Sequence, residues 1–251
     1  MRSFLSTCQC YFLLLILATA CSPNDAAPDG APQKGYATGR VTDTNGKPMP
    51  GVKVVIDNTM FYNSYAVGTT NEQGFYKIQL PPTGTFLATA TLTRTYNGKQ
   101  YTLDLHPDKY EEFSIDGAVT NFEWKLSGRR HLDSQGYYGA TISVNKDVMS
   151  QIYDSENIEF TLVPVGKLID GSDGKTLKLR HGQPHTNDYG NLVDIPLGRY
   201  TMTAEYVRGG VRHPLMLVKH FSNDNYQSTL QVDFEPDNIW GPNSAFIRYL
   251  E

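Results

Sequence analysis

The segment "NEQGFYKIQLPPTGTF" (residues 71–86) decides the fold. Tyr76, Ile78 and Leu80 alternate with polar residues, and the run is bounded on both sides by Gly- and Pro-containing turns. Successive side chains of a β-strand point to opposite faces, so such a segment packs one face on a core and leaves the other in water. A related segment, "NDYGNLVDIPLGRYTM" (residues 187–202), follows later in the chain. The repeat predicts two β-domains of related topology.

The same two-residue period continues on both sides of these segments. Asn97-Gly98 and Gly209-Gly210 stand between alternating runs and are typical of tight β-hairpins. The sequence therefore predicts an all-β protein with two tandem Ig-like β-sandwich domains, residues 36–128 and 129–251. One stretch, residues 145–157, has helical spacing instead, which predicts either a single helical turn or an irregular crossover.

The first domain carries a recognisable signature. "GRVTDTNGKPMPGVKVVI" (residues 39–56) and "TTNEQGFYKIQLPPTGTFLATA" (residues 69–90) resemble the carboxypeptidase regulatory-like domain, a transthyretin-like (prealbumin-type) β-sandwich. The resemblance covers residues 36 to about 127. It implies an accessory module, because in carboxypeptidases the zinc ligands belong to a separate catalytic domain. The second domain keeps only the back half of the signature, so its membership rests on the internal repeat.

The N-terminus resembles a bacterial lipoprotein signal. Residues 1–20 combine Arg2, a short apolar run and small residues immediately before Cys21. Cys21 is then expected to be the lipidated first residue of the mature chain, although Leu17 stands one place further from it than is usual. The alternative is an ordinary secretory peptide cut at the same place. Residues 21–35, rich in Pro, Ala, Gly and Asp, predict a flexible tether.

These features predict a lipid-anchored protein of the cell envelope, and its charge excludes one class of partner. Asp25 and Asp29 loosely resemble the acidic signals of surface-exposed outer-membrane lipoproteins. The formal net charge is -4, and no run of Lys or Arg occurs, which argues against a nucleic-acid partner. Cys8 and Cys10 lie within the signal segment, so the mature chain keeps one Cys and no internal disulfide is expected.

No catalytic motif emerges from the sequence. Neither H-E-x-x-H nor G-x-S-x-G occurs, so we expect no enzyme, no cofactor and no metal site. His181 and His185, with Asp188 nearby, leave a metal-dependent hydrolase as an alternative, but their Gly- and Pro-rich surroundings favour a solvated loop.

Binding is the remaining function class. Phe61, Tyr62 and Tyr65 cluster between two predicted strands, and Trp240 lies in a loop-like segment, so these four are the candidate ligand-binding residues. Strand alternation is expected to bury at least one of the first three. The expected partner is a glycan or an envelope protein, and a structural spacer or assembly subunit is the alternative.

Overall fold

The computed structural model describes residues 30–131, 136–237 and 241–251. The strands of the first part of the chain are β1 (Tyr36–Thr42), β2 (Lys53–Asn58), β3 (Tyr65–Thr69), β4 (Phe75–Gln79), β5 (Phe86–Tyr96), β6 (Lys99–Asp104), β7 (His106–Pro107), β8 (Ala118–Val119) and β9 (Phe122–Glu123). The later strands are β10 (Ala140–Lys146), β11 (Ile158–Pro164), β12 (Leu177–Leu179), β13 (Asn191–Ile195), β14 (Tyr200–Arg208), β15 (Val211–Lys219), β16 (Leu230–Val232) and β17 (Ser244–Leu250).

Strands β1 to β9 form the first lobe. One sheet has the order β4-β1-β9-β7, with β8 also paired to β1, and the other has the order β3-β2-β5-β6. Residues that alternate in the sequence alternate in burial, as in β5, where Phe86, Ala88 and Ala90 face the core. The all-β sandwich prediction is confirmed, and Trp124 is buried in the core.

Strands β10 to β17 form the second lobe, a single eight-stranded sheet in the order β12-β11-β14-β15-β17-β10-β13, with β16 also on β14. Strand β15 pairs with β14 near the hairpin and with β17 beyond it, so it carries the chain from one face of the lobe to the other. The pairings of the first lobe recur. Strand β10 is antiparallel to β13 and parallel to β17, as β1 is antiparallel to β4 and parallel to β8 and β9.

The two repeated segments form the same turn. Gly74 has φ 76° and its carbonyl accepts a hydrogen bond from the Val41 amide at 2.8 Å. Gly190 has φ 79° and accepts from the Val144 amide, also at 2.8 Å. Both positions need the left-handed backbone that glycine adopts without strain. The repetition in the sequence therefore encodes a repeated hydrogen-bonded turn.

Position 39 of the signature needs a glycine, because a neighbouring segment of backbone packs too closely for a side chain. A Cβ atom at this position of β1 would lie 1.8 Å from the carbonyl oxygen of Thr120, in the segment between β8 and β9. The hairpin predictions are also confirmed, because Asn97-Gly98 connects β5 to β6 and Gly209-Gly210 connects β14 to β15.

Of residues 145–157, the first two complete β10 and the rest form an irregular crossover. Their helical content is one 3-10 turn, Ser155–Asn157, while Val148 and Met149 are exposed and Ile152 is buried. Of these three apolar residues, only Ile152 packs in the core. One buried side chain provides too little tertiary packing to stabilise a helix. No helix in the described part of the chain has the length and apolar character needed to cross a membrane.

Candidate binding surfaces and the junction between the lobes

Three of the four aromatic residues predicted from the sequence, Phe61, Tyr62 and Tyr65, are exposed on the first lobe. We name residues 59–64, which connect β2 to β3, the aromatic loop. Its Met60, Phe61 and Tyr62 are 63%, 50% and 102% exposed, and Tyr65 and Val67 of the adjoining strand are 56% and 48% exposed. The expectation that alternation would bury at least one of the three aromatics was wrong. Residues 61 and 62 belong to the loop, and Tyr65 begins the outward-facing series of β3.

The aromatic loop is held in a defined shape. The buried side chain of Asn58 accepts hydrogen bonds from the Met60 amide at 3.0 Å and the Phe61 amide at 3.2 Å. The same side chain donates to the Thr83 carbonyl at 3.1 Å. Such an Asn fixes the backbone two and three residues ahead of it. The loop therefore has a defined backbone conformation, from which its apolar side chains project into solvent.

The aromatic loop lies at the end of the first lobe where the N-terminal segment joins it. The Gly35 carbonyl accepts from the Leu80 amide at 2.9 Å, and the loop that follows Leu80 reaches Thr85, which bonds Thr59 at 2.9 Å. Backbone contacts already begin at Gln33, whose carbonyl accepts from Tyr36, so the predicted tether ends slightly before residue 35.

The second lobe is attached at the opposite end of the first. Strand β5 runs from Phe86, beside the tether, through eleven residues to Tyr96. At about 3.3 Å per residue this strand separates its ends by about 33 Å. Tyr96 donates to the Lys167 carbonyl at 2.7 Å and accepts from the Arg199 amide at 3.1 Å.

Further contacts close this junction. Tyr101 is 2% exposed and its hydroxyl donates to the Phe234 carbonyl at 2.8 Å. Ion pairs join Lys99 to Glu235 at 2.7 Å and Arg130 to Asp104. The buried apolar residues of both lobes belong to one connected cluster. Burial raises the pKa of Tyr101 to about 12, which marks its hydroxyl as withdrawn from water.

A second concave surface lies on the second lobe. We name it the polar groove: a 480 Å³ cleft across β13, β10 and β17. Its polar lining includes the side chains of Tyr137, Ser143, Asp188, Asn191 and Asn243. Tyr137 donates to Asp188 at 3.1 Å, and Ser143 donates to Asn191 at 2.7 Å. Burial and this bond to Asp188 raise the pKa of Tyr137.

One group in the polar groove has unmet hydrogen-bonding capacity. Asn243 is 5% exposed, and its Oδ1 atom is buried without a hydrogen-bond partner. A buried acceptor without a donor is energetically unfavourable, and a ligand hydroxyl would relieve it. Sequence reasoning missed the groove, because outward polar residues on alternating strands look like an ordinary solvated face.

The two histidines of the sequence hypothesis occupy different environments. His181 is buried, in contrast to the solvated loop that was expected, and its ring nitrogens lie 3.0 Å from Ser155 Oγ and 2.9 Å from the Gly182 carbonyl. Its ring also packs edge-on against Tyr189. His185 is exposed with φ 69°. Across the described ranges, no three His, Cys, Asp or Glu side chains are grouped so that they could hold a metal ion.

Two predicted site residues, Cys21 and Trp240, lie outside the described residues, as does the whole predicted signal segment. Gly241, which follows Trp240 in the sequence, lines the polar groove.

The comparison with protein families supports the signature read in the sequence. Residues 37–116 match the family model of the carboxypeptidase regulatory-like domain. This match covers most of the first lobe, from β1 to the segment before β8. The exposed aromatic loop, the Gly74 turn and the junction residues Tyr96 and Tyr101 all belong to this carboxypeptidase regulatory-like region.

Solved structures give distant likenesses, and the search of curated proteins gives no match. The TIE protein of Bacillus anthracis is 17% identical, with 87% of this chain and 35% of that chain covered and a TM-score of 0.28. This chain thus spans about a third of that protein. The major pilin T-13 of Streptococcus pyogenes is 12% identical, with 88% and 97% covered and a TM-score of 0.23. The pilus adhesin SpaC of Lactobacillus rhamnosus GG is 11% identical, with 85% and 31% covered and a TM-score of 0.26.

Proposed function

We propose that this chain is a non-catalytic, lipid-anchored scaffold of the cell envelope that holds its second lobe at a fixed orientation. The observation that carries the proposal is the junction. Tyr96 and Tyr101 stand on either side of the Asn97-Gly98 hairpin turn, and both hydroxyls bond to the backbone of the second lobe. The Tyr101 bond is also buried, and flexibly linked domains do not keep such a bond buried, because relative motion would break it.

The anchor follows from the sequence. Several acyl chains on Cys21 would hold the protein at a membrane, whereas a single chain would be marginal. We place the protein in the outer membrane. We also propose that the second lobe is a second transthyretin-like sandwich, which the recurrence of the strand pairings supports.

Radiolabelled palmitate and cell fractionation test the anchor. The wild-type chain should incorporate label and remain in the outer-membrane fraction, while Cys21→Ser should lose both properties. A Cys21→Ser protein that still fractionates with the membrane, with no label in the wild type, would contradict the proposal.

A second candidate function, glycan binding, is favoured by the polar groove. A sugar presents hydroxyls that both donate and accept, and the groove offers the Asn243 acceptor, the Asp188 carboxylate and the ring of Tyr137. The test is retention of the full mature chain on immobilised envelope polysaccharides. Tyr137→Ala and Asn191→Ala should reduce retention, while Thr89→Ala, an exposed change on the first lobe, should not. Equal retention of all variants would exclude the groove as the glycan site.

A further inference from the structure

We infer that the aromatic loop docks on the lipid surface to which the chain is anchored. The first lobe then contacts the membrane at two places, through the acylated Cys21 and through the aromatic loop. The inference rests on the proposed lipid anchor at Cys21. The occupant is a zwitterionic phospholipid surface, contacted by Met60, Phe61 and Tyr62.

The position of the tether argues for this occupant. Thirteen residues separate Cys21 from Gly35. A flexible chain of that length has an end-to-end distance of about 20 Å. Gly35 is bonded at the same end of the lobe that carries the aromatic loop. The anchored lipid and the exposed apolar side chains are thus kept on one side of the molecule, and the second lobe extends from the other.

The composition of the loop fits an interface between headgroups and acyl chains. Residues 59–64 include no charged side chain. Aromatic side chains, Tyr in particular, prefer this depth of a bilayer because the ring is apolar and the hydroxyl is hydrated. Because Asn58 fixes the turn, the backbone of the loop need not be ordered when its side chains insert.

The surrounding charges specify which lipids are contacted. Asp57, Glu111 and Glu112 are exposed near this end of the lobe, where Phe113 pairs with Phe86, and they outnumber Lys34, the exposed cation beside Gly35. Carboxylates gain nothing from anionic headgroups, so the contact is apolar. It should therefore be insensitive to salt and should not require anionic lipid.

Quenching by brominated lipid tests the inference. Acylated full-length mature protein carrying Tyr62→Trp is reconstituted into phosphatidylethanolamine/phosphatidylcholine vesicles with and without brominated acyl chains. The emission of the native Trp124 and Trp240, measured in the parent protein in the same vesicles, is subtracted from each signal. The matched control is Tyr153→Trp, at a residue 75% exposed on the second lobe. We expect the signal from position 62 to be quenched at least about twofold and the signal from position 153 to be unchanged, since bromine quenches only at membrane depth. Adding Met60→Ser and Phe61→Ser should abolish the quenching.

Equal absence of quenching at positions 62 and 153 would overturn the inference and would point to a protein partner for this surface. Failure of the anchor is detected separately, by the mass of the Cys21 peptide. If Cys21 proves not to be acylated, co-sedimentation of the same protein with these vesicles decides the docking. Pelleting that requires Met60 and Phe61 supports it, and absence of pelleting contradicts it.

Discussion

Tyr101→Phe is the change that isolates the junction between the lobes. It removes one hydroxyl from a residue that is 2% exposed and leaves the Phe234 carbonyl, 2.8 Å away, without its donor. A buried polar group left unpaired costs about 1–3 kcal/mol. We expect the free energy of unfolding to fall by this amount, because water cannot reach the carbonyl while the lobes remain joined.

The matched control lies within the first lobe. Tyr76 is 3% exposed, and its hydroxyl donates to the Thr120 carbonyl at 2.7 Å, so Tyr76→Phe removes the same kind of bond without touching the junction. Urea unfolding at neutral pH gives both free energies by linear extrapolation. If the lobes swing apart in solution, the Tyr101 hydroxyl is hydrated and its removal costs nothing. A full cost for Tyr76→Phe beside an unchanged stability for Tyr101→Phe would therefore refute a closed junction.

Three further predictions concern the ionisation of Tyr101, the packing of Gly39 and the shape of the aromatic loop. Burial raises the pKa of Tyr101 to about 12, above the ordinary value of 10.0. The protonated hydroxyl therefore contributes fully to stability below pH 10, and this contribution is lost as pH rises towards 12. In urea titrations across this pH range, the free energy of unfolding of Tyr101→Phe should fall less than that of the wild type. Gly39→Ala places a Cβ atom 1.8 Å from the Thr120 carbonyl, so thermal denaturation should show that the protein loses several kcal/mol of stability or does not fold. The control is Gly46→Ala, where a Cβ meets no atom within 4 Å but φ is 76°. This change should cost about 1 kcal/mol of stability. Asn58→Ala removes the bonds that shape the aromatic loop, and protease cleavage within residues 59–64 should accelerate while cleavage elsewhere is unchanged; equal cleavage in both proteins would contradict the role of Asn58.

The sequence predicted the fold through its local signals and missed the features that depend on distant residues. Alternation placed Phe86, Ala88 and Ala90 on the core face, and Asn97-Gly98 marked a hairpin, because both signals act over a few residues. Alternation also placed Tyr101 on the core face, but its hydrogen bond to Phe234 joins positions far apart in the chain, and no local pattern encodes that bond. For the same reason His181 read as a loop residue, although Ser155 and Tyr189 enclose it.

The candidate site divides in the same way. The composition of residues 59–65 indicated an aromatic cluster, but the exposure of all three aromatic side chains depends on the loop geometry that Asn58 imposes. The polar groove was invisible in the sequence, since Ser143 and Asn191 come from different strands and gain their meaning only when β10 and β13 pair.

The distance between spin labels on the two lobes tests the central claim most directly. Nitroxides at Thr89→Cys and Val163→Cys, both exposed, report the inter-lobe distance in a Cys21→Ser background, and labels at Thr89→Cys and Lys77→Cys give a reference within the first lobe. The closed junction predicts one inter-lobe distance distribution, as narrow as the reference. A broad or multiple distribution between the lobes, beside a narrow reference, would show that they move independently and would contradict the account.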